Sequence, residues 1–510
     1  MEPVVVDGEN LTLEAIERVA LQGTRAVLSD AARPGILASR RVVEQALADN
    51  RKVYGVTTGL GHLSEVRINE TQSALLQNNM VRSHSAGVGE EYPAETCRAM
   101  MLLRANTLAK GYSGVRMCII ESLLSLLNAG ITPIIPQQGS VGASGDLVPL
   151  AHMALLLTGQ GEARRDGQHL DGMAALKAAH LAPIVLGPKE TLALVNGTQA
   201  MAAVGTLTLL KAERLARIAD IAGAFSLEAL RGTAAAFDER IHRVRPVPGQ
   251  VAVAENMRRL LAGSAIAAPA TNPRIQDAYS LRCIPQVHGA VREILGFVRR
   301  MLEIEVNAAT DNPLIFADDG DVISGGNFHG EPIAVSMDFL AIGLTELGNI
   351  SDRRTARLID PHLSGLPSSL SEHAALGCSF GILQIVTASL ASENRALAHP
   401  ASVDNIPTAA NQEDHVSMGP IAARKARDIA KNLQNVLAIE CLCAAQGVDF
   451  VGVDTCGVGT RRAHQIVRSQ VPWLNDDRAR IFHDDIAAVA ALLEDGRLLE
   501  GVENAVGALG

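Results

Sequence analysis

The run Gly139-Ser140-Val141-Gly142-Ala143-Ser144-Gly145-Asp146 sets three glycines at period three with only small residues between them. Glycine takes backbone conformations closed to other residues, so this run folds tightly on itself. A turn entering a helix near Asp146, with Asp or Ser as its cap, accounts for that composition as it stands. The same smallness permits a chemical reading. Attack of the Gly145 amide nitrogen on the Ala143 carbonyl carbon would close a five-membered ring. Loss of two waters, one taking the Ser144 hydroxyl, would leave an exocyclic methylene on an imidazolone. A glycine nitrogen is the least hindered attacker, alanine adds little bulk, and serine supplies a β-leaving group. The product is an electrophile made without an external cofactor.

Other common catalytic signatures are missing: the chain has no HExxH, no GxxxxGK[ST] and no GxSxG. His415 stands beside Glu413 and Asp414, but adjacent side chains point apart and no second histidine is suitably spaced, so no metal is expected. His483-Asp484-Asp485 reads as a solvated helix start.

The elements that must position such a loop are helical. Leu207, Leu210, Ile218, Ile221 and Phe225 recur at helical spacings after Asn196, with Gly232 where a stop is expected. Two more long patterns run from about 332 to 358 and from about 420 to 446. Only short pieces such as Lys52–Val56 suggest a strand. The Gly- and Pro-rich stretches include 55–61, 132–145, 262–273, 312–330 and 399–411, and 262–273 reads as a flexible lid or linker. The fold class expected is mainly α.

Composition narrows the function classes. The 510 residues are 47% hydrophobic and 20% charged, enough to bury a large core without disulfides or metal. A net charge of −10 argues against a general nucleic-acid or anionic-membrane surface. Seven cysteines without a CxxC or framework spacing read as reduced thiols, and no signal peptide is visible, so a cytoplasmic protein is expected. The uncharged stretch 374–392 carries several Ser, Thr and Gln residues and reads as a buried core helix, not a membrane span.

The segment GSVGASGDLVPLAHMALLLTGQGEA (139–163) resembles the signature of the aromatic amino acid ammonia-lyase family. So do YGVTTGLG (54–61), RSHSAGVG (82–89), LLRANTLAKGYSGVR (102–116), LVNGTQ (194–199), QDAYSLRCIPQVHG (276–289), DNPL (311–314), SGGNFHGEP (324–332) and SVDNIPTAANQEDHVSMG (402–419). They follow the family's order over roughly residues 50 to 450. The resemblance implies that Ala143-Ser144-Gly145 forms methylidene-imidazolone (MIO), with no metal and no diffusible cofactor. It implies a long-helix bundle of the fumarase/aspartase-like superfamily. Residues 1–200 would carry the tyrosine and MIO loops, and 201–510 the bundle and a C-terminal helical region. It also implies a homotetramer whose active sites borrow residues from neighbouring chains.

By the same resemblance Tyr54 is the β-proton base, Tyr279 and Asn196 assist near the MIO, and Arg282 anchors the substrate carboxylate. Gln276 and Phe328 are implied to lie against the substrate. A phenol with an ordinary pKa of about 10 is a poor base at neutral pH, so the site must favour the phenolate. A planar guanidinium suits a carboxylate.

Substrate choice rests on fewer residues. Ser83-His84 and the Glu413 of NQED stand where the family's histidine-specific members carry their marks. A carboxylate accepts an imidazole N–H, whereas opposite a phenyl ring it would be buried unpaired at a cost of several kcal/mol. L-histidine is the expected substrate, giving trans-urocanate and ammonia. An MIO-dependent aminomutase and a lyase for phenylalanine or tyrosine are the alternatives. Leu60, where Phe is common, and Gly381, where a larger residue is expected, could reshape the pocket wall.

Overall fold

An apolar period of 3.6 residues, sustained over many turns, builds long helices. The computed structural model describes residues 2–59, 66–68, 70–268, 275–376, 379–474 and 480–510. Its longest helices are Gln199–Ala229, Ile284–Glu305, Glu331–Ile359 and Gly419–Val451. Three of these were expected, and each runs to or beyond the ends of its periodic core. Gly232 closes the first by donating its N–H to the Leu227 carbonyl at 2.7 Å.

Among the described residues strands are short and sit in four small sheets, one of them a three-stranded antiparallel sheet of Thr132–Pro133, Glu162–Arg165 and Gln168–Asp171. Lys52–Val56 is not a strand. The Val53 N–H donates to Thr57 Oγ1 at 2.9 Å, and that hydroxyl donates to the Arg51 carbonyl at 2.6 Å. These local bonds curl the segment into turns and outweigh its β-branched composition.

The chain separates into two compact units. The first comprises Met1–Leu210, Arg299–Asp338 and Pro400–Arg424. Its core is centred on helix Ala94–Ala109, where every residue from Thr96 to Ala109 except Arg98 is buried. Helices Met117–Asn128 and Leu147–Leu157 bury Ile119, Ile120, Leu123, Leu150 and Met153. Each such side chain contributes roughly 1.5–3 kcal/mol of hydrophobic stabilisation.

The second unit comprises Lys211–Val298, Phe339–His399 and Lys425–Gly510. Deep within it Glu440 is held on both oxygens. Arg354 donates Nε to Oε1 at 2.5 Å and Nη2 to Oε2 at 2.9 Å, while Ser226 and Ser351 each add a 2.6 Å bond. Full satisfaction of this kind is what a buried ion pair requires.

The segment 374–392 differs from expectation. Its helix is Gly381–Leu397, and it buries only the stripe Leu383, Thr387, Ala391 and Asn394, leaving Ile382 and Ile385 exposed. Polar residues spread around the helix confine the apolar packing to one side. Residues 262–268 are no free lid either. The Ala265 N–H donates to the Thr455 carbonyl, Ala234 donates to Ala267, and Ala267 is buried. Residues 269–273 of that stretch lie outside the described residues. Among the described residues, Glu331–Ile359 is the one helix long and apolar enough to cross a bilayer, and 72% of its apolar window is buried inside the protein.

Candidate active site

The glycine-rich loop is shaped by close approaches that only glycine allows. Gly145 has φ +70°, and a Cβ there would come within 2.2 Å of the Gly197 carbonyl oxygen. At Gly142 a Cβ would meet Ser417 Oγ at 2.2 Å. The loop is further tied down by the Met418 N–H on the Val141 carbonyl at 2.9 Å and by burial of Ala143 against Val416 and Met418. Asp146 precedes helix Leu147–Leu157 but its side chain does not cap that helix. Its carboxyl instead accepts the Met201 N–H at 2.8 Å, at the start of helix Gln199–Ala229, and burial pushes it up to about 7.

An imidazolone built from Ala143, Ser144 and Gly145 suits these surroundings. The attacking nitrogen belongs to a residue with no Cβ and no room for one. The Ser144 carbonyl oxygen, which such a ring retains, already accepts Asn196 Nδ2 at 3.1 Å.

Asn196 is positioned from behind. It follows helix Glu190–Val195 and is buried. The fully buried Arg104 donates to its carbonyl at 2.9 Å, to the Ala193 carbonyl, and to Gln199 Oε1 at 2.6 Å. Burial lowers the Arg104 pKa to about 10, so it remains a cation at neutral pH.

Glu413 reaches the loop at the Ser144 hydroxyl. Ser144 Oγ donates to its Oε1 at 3.1 Å, and Thr408 Oγ1 donates to its Oε2 at 2.6 Å. Between Thr408 and Glu413 the chain passes through Ala409, Ala410 and Asn411 at φ 47°, 55° and 65°. Three successive left-handed residues without a glycine are a strained turn, kept because the flanking bonds over-determine it. Those bonds are the Thr408 N–H on the Glu413 carbonyl at 2.9 Å and Asn405, which clamps Asp414 and Val416.

A cavity of about 760 Å³ opens on this loop, entirely within the first unit. Tyr54, His84, Ala143, Ser144, Asn196, Phe328 and Glu413 all line it, with Met80, Leu147 and Leu192 as apolar wall. Gly145 is buried beside it. His84 Nδ1 lies 2.9 Å from the Met80 carbonyl, which can only accept. The proton of the neutral ring therefore belongs on Nδ1, and Nε2 is an acceptor.

Besides Gly145, three expected site residues do not line this cavity. Gln276, Tyr279 and Arg282 belong to the second unit. Tyr279 is 72% exposed, with the Arg282 guanidinium 4.7 Å from its ring centre. The buried Arg354 donates to the Ser280 carbonyl between them at 3.5 Å. Leu60 lies outside the described residues. Gly381 is not in the cavity wall; a Cβ there would meet Ser369 Oγ at 3.0 Å.

Sequence reasoning missed other cavity residues. Asn312 Oδ1 accepts from Gly325 N at 2.8 Å and Ser324 Oγ at 3.2 Å, tying the Phe328 loop to a buried pair, Lys189–Asp311, at 2.6 Å. His329 and His415 face one another with ring centres 5.5 Å apart, whereas the sequence raises His415 only as a metal ligand and its spacing argues against that role. All of these except Lys189 stand in the matched motifs DNPL, SGGNFHGEP and NQEDH, which is the signal that could have found them.

The aromatic amino acid lyase family matches residues 11–469. A histidine ammonia-lyase of Alkaliphilus oremlandii is 50% identical over 506 residues, covering 99% of both chains. The crystal structure of histidine ammonia-lyase from Trypanosoma cruzi superimposes with a TM-score of 0.92 at 42% identity, over 99% of this chain and 96% of that one. Tyrosine aminomutase from Streptomyces globisporus gives 0.94 at 40% identity, over 99% of each. Loop geometry, cavity and whole-length similarity agree, and the chain belongs to the aromatic amino acid lyase family.

Proposed function

We propose that the protein removes ammonia from L-histidine non-oxidatively, giving trans-urocanate, the first step of histidine breakdown, on an MIO group made from Ala143, Ser144 and Gly145. The observation that carries this reading is one cavity that unites His84, Glu413 and Tyr54 with the Ala143-Ser144 edge of the loop. The 50% identity to a histidine ammonia-lyase over the whole chain supports the choice of substrate.

The MIO group, held in the loop by Ala143, Ser144 and Gly145, would supply an electrophilic carbon able to activate the substrate amine as a leaving group. The chain's own residues do the rest. His84 Nε2 accepts one imidazole N–H, because Nδ1 is committed to the Met80 carbonyl. Glu413 accepts from the ring and stabilises its partly cationic form. Tyr54 is the base that takes the β-proton. Asn196 holds the Ser144 carbonyl. Phe328 closes the wall on the substrate. Arg282 anchors the carboxylate, with Tyr279 and Gln276 beside it.

Those last three would come from a neighbouring chain in a homotetramer. Support lies in the exposure of Tyr279, and of Phe339, Ile342, Ile382 and Ile385 in the same unit, which an oligomer would cover. The setting proposed is the cytoplasm, with a small amino acid as the partner.

The test is a near-UV assay with L-histidine, L-phenylalanine and L-tyrosine in parallel, with ammonia measured independently. Urocanate and ammonia should appear together from histidine alone. Turnover of phenylalanine or tyrosine without histidine would overturn the substrate. The similarity to a tyrosine aminomutase favours one second reading, return of ammonia to the β-carbon. A β-amino acid among the products would establish it.

A further inference from the structure

We propose that Glu413 also acts before any substrate arrives, as the acid–base group that dehydrates Ser144 and so completes the electrophile. The inference rests on the reading of Ala143-Ser144-Gly145 above, and begins from the contact between Ser144 Oγ and Glu413 Oε1 at 3.1 Å. A side chain meant only to receive imidazole has no reason to be seated first on the hydroxyl that must leave.

The atoms balance without a co-reactant. Gly145 N bonds to Ala143 C, and the Ala143 oxygen departs as water with the protons of the Gly145 and Ser144 amides. The second water is Ser144 Oγ with its own proton and the proton from Cα. The Cα–H electron pair becomes the Cα=Cβ bond, and the Cβ–Oγ pair leaves with the oxygen. Nothing is oxidised or reduced.

Hydroxide is a poor leaving group, and the second step needs a proton delivered to Oγ as the bond breaks. Glu413 in its protonated form delivers it, and the Cα proton returns to the carboxylate, which ends as it began. Thr408 sets which oxygen acts. Its hydroxyl donates to Oε2 at 2.6 Å and occupies that oxygen, leaving Oε1 to exchange a proton with the Ser144 hydroxyl that faces it. Asn196 assists from the other side, since its N–H on the Ser144 carbonyl stabilises the charge that gathers there as Cα–H breaks.

The same step prepares the site for substrate. Once Oγ has gone as water, Oε1 loses its partner and is free to accept an imidazole N–H. One carboxylate thus serves the making of the group and then its use.

Peptide mass spectrometry over residues 139–163, followed in time after expression, tests this without reference to turnover. The wild-type segment should become lighter by two waters. In Glu413→Gln the Ser144 water should be retained, or lost more slowly by about 10²–10⁴-fold, the usual worth of a positioned acid–base group. Near-UV absorbance of the conjugated ring should fall in step, with far-UV circular dichroism unchanged. Thr408→Val keeps the carboxyl group and should slow the loss about tenfold, the equivalent of one hydrogen bond; it carries the test if Glu413→Gln does not fold. Two-water loss at the wild-type rate in the folded variants overturns this inference alone. A wild-type segment that keeps both waters overturns it together with the proposed function.

Discussion

Asn196 holds the carbonyl oxygen of Ser144 through its side-chain amide at 3.1 Å, and is itself held through its own carbonyl by the buried Arg104. A donor preorganised on an atom that gains charge is worth far more in a water-poor site than in solvent. Asn196→Ala should therefore lower kcat by about 10²–10³ with a small change in KM. Steady-state kinetics normalised to the fraction of chains carrying the dehydrated loop will measure it; an unchanged kcat would remove Asn196 from the machinery.

Arg104 predicts a different signature. Arg104→Met strips the donor from two buried carbonyls and from Gln199, at about 1–3 kcal/mol for each acceptor left unpaired. Urea unfolding should show that loss, and the surviving folded protein should also lose activity through Asn196.

In the second unit Arg354 and Glu440 are both fully buried. Glu440→Ala leaves a guanidinium without its partner, and a destabilisation of about 3–5 kcal/mol is expected. The double replacement Arg354→Met with Glu440→Met should cost less than the single change, because no unpaired charge remains. A larger loss in the double variant would show that the pair does more than satisfy itself.

Asp146 ties stability to pH. Burial raises its carboxyl to about 7 from an ordinary 3.8, so the folded chain holds the proton more tightly than the unfolded one. Its contribution is fully present below the lower value and fades as pH rises through the upper one. Asp146→Asn keeps an oxygen for the Met201 N–H and cannot ionise. The drop in Tm between pH 5 and pH 8 should be smaller in Asp146→Asn than in wild type; equal drops would assign the dependence to other groups.

His84→Leu removes the imidazole acceptor while adding an apolar side chain of similar size. A site that hydrogen-bonds its substrate discriminates strongly, so kcat/KM for histidine should fall at least about tenfold, mainly through KM. A fall in kcat alone would mean that His84 acts on the chemical step.

Much of the site was legible because its parts lie in short contiguous motifs. The Ala143-Ser144-Gly145 ring could be read from local chemistry, whereas Tyr54, His84, Asn196, Phe328 and Glu413 were placed by likeness to family motifs; one cavity collects all of these except Gly145, which is buried beside it. The long helices were legible from their apolar period. Arg104, Asp311 and Thr408 were passed over because their work is done in three dimensions. Arg104 acts on carbonyls 89 and 92 residues away, and Lys189 meets Asp311 across 122. The turn at 52–56 reads as a strand in sequence because side-chain bonds from Thr57, not backbone propensity, decide it. Gln276, Tyr279 and Arg282 were placed in the site by family likeness, and a single chain puts them in the other unit.

The cavity is assembled from three stretches of sequence, ending with the Pro400–Arg424 segment that brings Ser417 against Gly142 and Glu413 against Ser144. Glu413 follows Ser144 by 269 residues. On the ribosome, at about 5–20 residues per second, the loop therefore waits tens of seconds before that segment has been synthesised. On the proposed role of Glu413, the Ala-Ser-Gly stretch stays an ordinary, unreactive peptide during that time. If the proposed ring forms only against these neighbours, their late arrival would act as a safety catch, keeping a thiol- and amine-reactive group out of the nascent chain and arming only molecules that have finished folding.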